Sequence, residues 1–141
     1  MDLDPKVAAL LDAQRVGSVA TVSPDGRPRQ SVVYFARDGA RILISTERDR
    51  LKAKDAERTG WASLCVRGDE PPFPSATVAG PAAILTRDIG DGTARVMQRI
   101  AGSDEPPDPQ TDEALAAVGR VLLVIDVEST GPTSYLSEEG A

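Results

Sequence analysis

The chain has 141 residues, of which 40% are apolar and 27% are charged, and its formal net charge is -6. This size and composition are typical of one folded domain, and an acidic chain lacks the basic face that binding to nucleic-acid phosphates requires. The chain contains no His, which excludes Ser-His-Asp and Cys-His nucleophile systems, His-ligated haem and the usual zinc sites.

The sequence also predicts the compartment. No apolar run approaches the length of about 18 residues that would span a membrane, and the N-terminus has acids where a signal peptide needs cations. We therefore expect a cytoplasmic protein without a membrane span. The lone Cys65 cannot form an internal disulfide, and its apolar neighbours predict a buried, inert thiol.

The chain begins with the pattern of a short amphipathic helix, which we expect within residues 1–15. Asp4 suits the N-cap and Pro5 the first helical position, and apolar residues follow at helical spacing. Three strands come next, at residues 16–23, 28–36 and 41–46. Two tight turns, each with an Asp-Gly pair, separate these strands.

The remaining elements follow the same reasoning from periodicity and turn residues. They are a helix at 49–58, a strand at 61–67, a long strand at 75–85, helices at 91–101 and 111–118, a strongly apolar central strand at 121–127 and an edge strand at 131–136. The pair Gly80-Pro81 inside a strand predicts a bulge, an edge or a close approach to the backbone.

These elements give a mainly β fold with short helices. Six or seven strands in sequential hairpins predict an antiparallel sheet closed into a barrel. We expect residues 1–141 to form a single domain with a loose tail at 137–141.

The segment Leu43–Arg58 has an unusual charge pattern. Residues 47–58 carry five basic and four acidic residues, and Asp49 is a suitable N-cap that would make Arg50 the first helical residue. The first turn of a helix normally favours acids, so cations there are stabilised by an anion bound among them. The segment thus predicts either a phosphate or carboxylate site or a solvated surface helix with mixed charges.

Three stretches of the sequence resemble one known family. They are VATVSPDGRPRQSVVYFARDGARILIST, RDRLKAKDAERTGWASLCV and SATVAGPAAI, and the likeness covers about residues 7–127. The sequence is similar to the pyridoxamine 5'-phosphate oxidase-like split β-barrel superfamily, and more narrowly to its actinobacterial flavin/deazaflavin branch, which uses coenzyme F-420. The resemblance implies an FMN-binding-like split barrel that forms a homodimer, with two cofactors in grooves between the subunits.

The resemblance also implies a set of cofactor-binding residues, and we expect no metal site. A basic group after the third strand would hold the cofactor phosphate and tail, the second strand would line the ring, and the partner subunit would close the site with its fifth strand. The implied residues are Arg50, Lys52 and Lys54 for the basic group, Gln30, Ser31, Val32 and Val33 for the ring, Ser45 and Thr46 beside the phosphate, and Gly80 and Pro81 for the partner's strand.

Each of these residues also has a structural interpretation. Tyr34 is a candidate proton donor but equally a packing residue of a strand, and Trp61 suits the core or a dimer interface. The expected function is hydride transfer to or from a small organic substrate with coenzyme F-420. The alternatives are an FMN-dependent reductase or oxidase of the same fold and a cofactor-binding dimer without catalysis.

Overall fold

A computed structural model describes residues 2–136, which form four helices and eight strands. The helices are α1 Pro5–Ala13, α2 Leu51–Thr59, α3 Gly90–Ala101 and α4 Asp112–Ala117. The strands are β1 Val16–Val22, β2 Pro28–Tyr34, β3 Ala36–Asp38, β4 Arg41–Glu47, β5 Trp61–Arg67, β6 Ser75–Leu85, β7 Arg120–Asp126 and β8 Thr133–Ser134. The tail predicted at residues 137–141 lies outside the described residues.

The strands form one antiparallel sheet in the order β2-β1-β5-β6-β7-β4-β3, and β8 pairs with β6 beside this path. This confirms the prediction of a mainly antiparallel β fold with short helices. The most apolar strand, β7, lies between β6 and β4, as expected for a central strand.

The sheet curls because its two end strands are consecutive in sequence. The predicted strand 28–36 is in fact divided at Phe35, which is 1% exposed. Residues before Phe35 pair with β1, and Ala36 begins the pairing with Leu43 of β4. One residue therefore connects opposite ends of the strand order, which bends the sheet around the core.

Two apolar clusters stabilise this arrangement. The larger fills the inside of the curled sheet with side chains from α1, β1 and the central strands, among them Leu11, Val19, Ile44, Leu64 and Leu123. A second cluster lies on the other side of β4 and β7, under α3 and α4. Alternate residues of β4 thus face different clusters, as the two-residue period of a strand requires.

The helix caps are partly as predicted. The Asp4 side chain accepts a hydrogen bond of 2.8 Å from the Lys6 backbone N–H, and Thr111 caps α4 through Ala114. Asp49, however, does not cap α2, because a turn in which the Arg50 N–H donates to the Glu47 carbonyl precedes the helix. Arg50 is the N-cap residue, and the helix begins at Leu51.

One prediction of burial was wrong. Cys65 is exposed, because the alternation of β5 directs Leu64 and Val66 into the core and Cys65 to the opposite face. Trp61, on the same strand, is 47% exposed, which excludes the core and leaves the dimer interface, the other location predicted for it. None of the helices within residues 2–136 is long and apolar enough to cross a membrane.

Candidate anion-binding groove

A groove with a volume of about 240 Å³ lies between the β1–β2 hairpin and the start of α2. Val19 and Thr21 of β1 and Arg29 and Ser31 of β2 form one wall, in directly paired positions of the hairpin. The residues on the helix side are Arg50, Leu51 and Lys52, and Gln30 borders the groove from β2. The register therefore brings polar strand residues opposite cationic helix residues.

The start of α2 leaves backbone donors at this groove. Its N-cap, Arg50, makes no side-chain capping hydrogen bond, and its first turn contains no acid. The Arg50 carbonyl accepts from the N–H groups of Ala53 and Lys54, while those of Leu51 and Lys52 make no backbone hydrogen bond within residues 2–136. Unpaired N–H groups and the positive end of the helix dipole favour an anion.

The cations beside these N–H groups have few acidic partners within the described residues. Burial lowers the pKa of Lys52, and the nearby charge of Arg50 lowers it further. Arg50 Nε is 3.9 Å from the Glu47 carboxylate, which is a long and exposed ion pair. Among residues 2–136, Lys52 has no carboxylate within ion-pair distance. An anion in the groove would stabilise both charges.

Asp55 connects α2 to the strand wall. Its side chain is 1% exposed and accepts hydrogen bonds from Thr21 Oγ1 at 2.9 Å, from Arg29 Nε at 2.9 Å and from Arg29 Nη2 at 3.1 Å. Arg58 Nη1 donates to the same carboxylate at 3.2 Å. The bonds from Arg29 above all hold the pKa of Asp55 below its ordinary value, against the opposing effect of burial.

The structure brings together four of the predicted cofactor-binding residues: Gln30, Ser31, Arg50 and Lys52 all line the groove. Val32 and Val33 do not: Val32 points to the face opposite Ser31, and Val33 shares the face of Ser31 but lies farther along β2. Val33 packs against the main core, whereas Val32 is 76% exposed on the other face of the sheet.

Three further predicted residues lie outside the groove. Lys54 is exposed on α2, about 200° around the helix from Lys52. The Thr46 side chain is buried in β4, and the Ser45 hydroxyl is buried without a hydrogen-bond partner in the described part of the chain. Neither strand residue lines the groove.

Gly80, Pro81 and Tyr34 also lie away from the groove. Gly80 is buried at the point where β6 passes from pairing with β5 to pairing with β7, and a Cβ there would lie 1.8 Å from the Asp126 carbonyl oxygen. The close approach predicted at Gly80-Pro81 therefore comes from the chain's own backbone. Pro81 and Tyr34 are exposed on the sheet surface.

Sequence reasoning missed Val19, Thr21, Arg29 and Leu51. A signal for Arg29 existed, since it is two residues from Ser31 and must share its face of β2. Its partner Asp55 is distant in sequence, and the charge pattern of residues 47–58 gave no sign that Asp55 is buried. Only the packing of α2 on the hairpin reveals that pairing.

The sheet has a second notable surface, here called the outward face, opposite the core side of β2, β1, β5 and β6. Strand register places two uncharged rows across it. The rows are Val32, Ser18, Cys65 and Thr77, and Gln30, Ala20, Ser63 and Ala79. Trp61 and Pro81 continue this face at one end. No helix covers it in the part of the chain that the structure describes.

The groove can bind an anion but offers no nucleophile with an activating base. The polar groups on its inner face are cations, backbone donors and the two hydroxyls of Thr21 and Ser31. Such a site suits a phosphate- or carboxylate-bearing ligand that carries its own reactivity.

Solved structures of several proteins share this fold. An F-420 reductase is similar at 23% identity and a TM-score of 0.72, with 92% of this chain and 98% of that chain covered. A conserved hypothetical protein from Mycobacterium tuberculosis has 23% identity and a TM-score of 0.75, over 100% of this chain and 89% of that chain. The heme storage protein HutZ from Vibrio cholerae has 17% identity and a TM-score of 0.65, over 94% of this chain and 96% of that chain.

Similarities at this level of identity show only that the fold is shared. The family assignment comes from a match to a family model. The model described as Pyridoxamine 5'-phosphate oxidase matches residues 3–131, which is nearly the whole described chain. The curled antiparallel sheet is thus a split β-barrel, as the resemblance implied. The chain belongs to the pyridoxamine 5'-phosphate oxidase family.

Proposed function

We propose that this protein is an oxidoreductase of the flavin/deazaflavin branch that uses coenzyme F-420 to transfer hydride to or from a small organic substrate. The observation that carries the proposal is the groove at the start of α2. It combines two unpaired helix N–H groups with Arg50 and Lys52, the latter without a carboxylate partner in residues 2–136.

These groups fit the anionic part of the cofactor. Coenzyme F-420 carries a phosphodiester and a polyglutamate tail, and both suit cations placed at a helix N-terminus. Lys52 and the N–H groups of α2 would hold the phosphodiester, and Arg50, which is more exposed, would contact the tail. Ser31 would position the ring end from β2, whereas the Gln30 side chain lies on the outward face and only its backbone would border the ligand.

The bound cofactor supplies the hydride chemistry itself, so the protein needs no nucleophile. The contribution of this chain is orientation, which requires fixed contacts at both ends of a long ligand. Rigid strand residues on one side and a helix terminus on the other provide such contacts. Tyr34 remains a candidate proton donor only if a second subunit brings it near a bound substrate, because it faces away from the groove of its own subunit.

We further infer that the outward face forms a homodimer interface. It presents Val32 at 76% exposure within uncharged rows that cross four strands. Exposed apolar and uncharged faces commonly mark protein interfaces. Pro81 and the exposed Trp61 lie on that face and would belong to the interface.

The experiment that tests the proposal is a fluorescence titration of the purified protein with coenzyme F-420, with FMN in parallel. We expect micromolar or tighter binding of the deazaflavin and weaker binding of FMN. The opposite order would replace the proposal with an FMN-dependent reductase or oxidase. Binding of F-420 without turnover on any pair of reductant and acceptor would indicate a cofactor-binding dimer.

A further inference from the structure

We propose that Arg29 is a third cation of the anion site, and that the buried Asp55 positions it. The inference rests on the proposed function for the identity of the ligand, but it concerns residues that lie outside the basic segment of α2. Its ligand class is a phosphate ester or pyrophosphate.

One edge of the Arg29 guanidinium is bonded to Asp55, and its other N–H groups are available to a ligand. Nε and Nη2 donate to the two oxygens of Asp55 at 2.9 and 3.1 Å. Nη1 makes no hydrogen bond to any of the residues 2–136. A guanidinium has five N–H donors, so three remain for a ligand, and the side chain is 34% exposed at the groove.

Asp55 is held firmly enough to act as a fixed support. Thr21 Oγ1 and Arg58 Nη1 donate to it at 2.9 and 3.2 Å, and the Arg58 side chain also donates to the Val22 carbonyl. The carboxylate is thereby fixed to both β1 and α2. A two-pronged pair with such a group limits the guanidinium of Arg29 to one plane and one direction.

The strand register determines toward which face of the sheet the Arg29 side chain points. It pairs with Thr21 of β1 and lies two residues before Ser31, so all three share the groove face. Arg50 and Lys52 lie across the groove on α2. Two structural elements thus present cations to the same space, which a solvated surface helix would not require.

An arginine held in one plane and a lysine recognise anions differently. The planar fork of Arg29 matches two oxygens of one phosphate, whereas Lys52 acts as a single charge. The arrangement should therefore favour ligands with a phosphate over the same ligands without it. This gives a test that is independent of turnover.

The test compares paired ligands on the same protein. Coenzyme F-420 is titrated beside its deazaflavin core, which lacks the phosphate and tail, and FMN beside riboflavin. We expect Arg29→Gln to weaken the phosphate-bearing member by about 10- to 100-fold, as for loss of hydrogen bonds to a charged group, and to leave the phosphate-free member unchanged. Arg29→Lys, which keeps a charge beside Asp55, should cause a smaller loss in the same direction.

The matched control is Arg27→Gln. It removes the same charge two residues away, from a side chain that is 84% exposed and outside the groove. An equal loss in Arg27→Gln and Arg29→Gln would show a general charge effect and overturn the proposal. So would unchanged binding of the phosphate-bearing ligand by both Arg29 variants.

Two substitutions of Asp55 test its positioning role. Asp55→Asn and Asp55→Glu both disturb the support of Arg29, and Asp55→Glu keeps the negative charge. We expect the preference for the phosphate-bearing ligand to fall in whichever variant folds, while a purely structural role would weaken both ligands together. An unchanged preference would remove Asp55 from the proposal.

The outcome also separates this inference from the proposed function. If the wild-type protein binds neither F-420 nor FMN, the proposed function fails, and calorimetric titration with inorganic pyrophosphate decides the inference. Weaker pyrophosphate binding in Arg29→Gln than in Arg27→Gln would support the anion site. Equal binding in both, or none to the wild type, would overturn it.

Discussion

A Cβ atom on Gly80 would lie 1.8 Å from the carbonyl oxygen of Asp126, so β6 and β7 meet at a separation that only glycine allows. The next-nearest atoms are also backbone, of Asp126 and Glu128, and cannot rotate away. We predict that Gly80→Ala lowers the free energy of unfolding by about 1–3 kcal/mol or more, as overpacking does. Urea denaturation followed by circular dichroism measures this.

Gly131→Ala is the matched control for Gly80→Ala. No atom lies within 4 Å of the position of its Cβ, and its backbone does not require glycine. The control should change the free energy of unfolding only slightly. Equal effects of the two substitutions would show that the approach of Asp126 does not constrain the barrel corner.

Asp55→Asn is predicted to destabilise the protein by removing the charge that pairs with Arg29 and Arg58. The expected loss in the free energy of unfolding is about 1.5–3 kcal/mol, the scale of hydrogen bonds to charged groups. It stays below the cost of breaking a fully buried pair because both arginines retain contact with water. The exposed Asp108→Asn is the control, and it should leave stability nearly unchanged.

The effect of Asp55 should depend on pH in a defined direction. Since the pKa of Asp55 is lowered in the folded state from 3.8, its stabilising contribution is complete above that value and is lost as the pH falls through the lower folded-state pKa. The difference in the free energy of unfolding between wild type and Asp55→Asn should therefore be constant above pH 3.8 and become smaller below it. A difference that widens on acidification would contradict this.

Lys52→Ala is predicted to weaken the binding of coenzyme F-420 by about 1–3 kcal/mol, through loss of a charge-assisted contact. Lys54→Ala removes the same charge from the same helix, but that side chain is exposed and lies outside the groove. Fluorescence titration of both variants distinguishes a local contact from the overall charge of α2. Similar losses in the two would argue against the groove as the binding site.

The affinity for the cofactor should fall at alkaline pH. In the protein without ligand, burial and the charge of Arg50 lower the pKa of Lys52 below its ordinary value of 10.5. A bound anion would raise this pKa again. Below the free-protein pKa, Lys52 is protonated in both states and the affinity is constant; above it, binding requires proton uptake and weakens as the pH rises. In Lys52→Arg, which stays charged, this part of the pH dependence should disappear.

Val32→Glu tests the proposed interface between two copies of the chain. Val32 is 76% exposed, so the substitution should not destabilise a single subunit, but it would bury two charges in a dimer formed through the outward face. Light scattering after gel filtration should report a dimer for the wild type and a monomer for Val32→Glu. Val118→Glu, at an exposed position beyond α4, should leave the mass unchanged.

Local patterns predicted most elements with good accuracy. The turn residues around Asp25 and Asp38, the cap at Asp4 and the apolar run within residues 61–67 all depend on neighbours in sequence, and the strands and helices occur where those signals indicate. The boundary at Phe35 was not predictable, because both halves of the segment have strand character. Only the choice of pairing partner divides them.

In the candidate site, too, some residues could be predicted from local sequence and others only from tertiary packing. Arg50 and Lys52 could be identified from composition, since cations in a first helical turn are unusual. The cap at Asp49 was a reasonable prediction from residue type, but a turn from Glu47 to Arg50 forms instead and starts the helix later. The burial of Asp55 was invisible, because a charged residue in a polar helix normally faces solvent.

By itself, then, the sequence determined the strands, the helices, the antiparallel class and the basic residues at the start of α2. These follow from interactions between residues close in the chain. Tertiary structure alone decided that Arg29 meets Asp55, that Cys65 faces outward and that Gly80 meets Asp126. Such pairings depend on how the sheet curls and how α2 packs on the hairpin, and residues that are 26 or more positions apart carry no local signal of them.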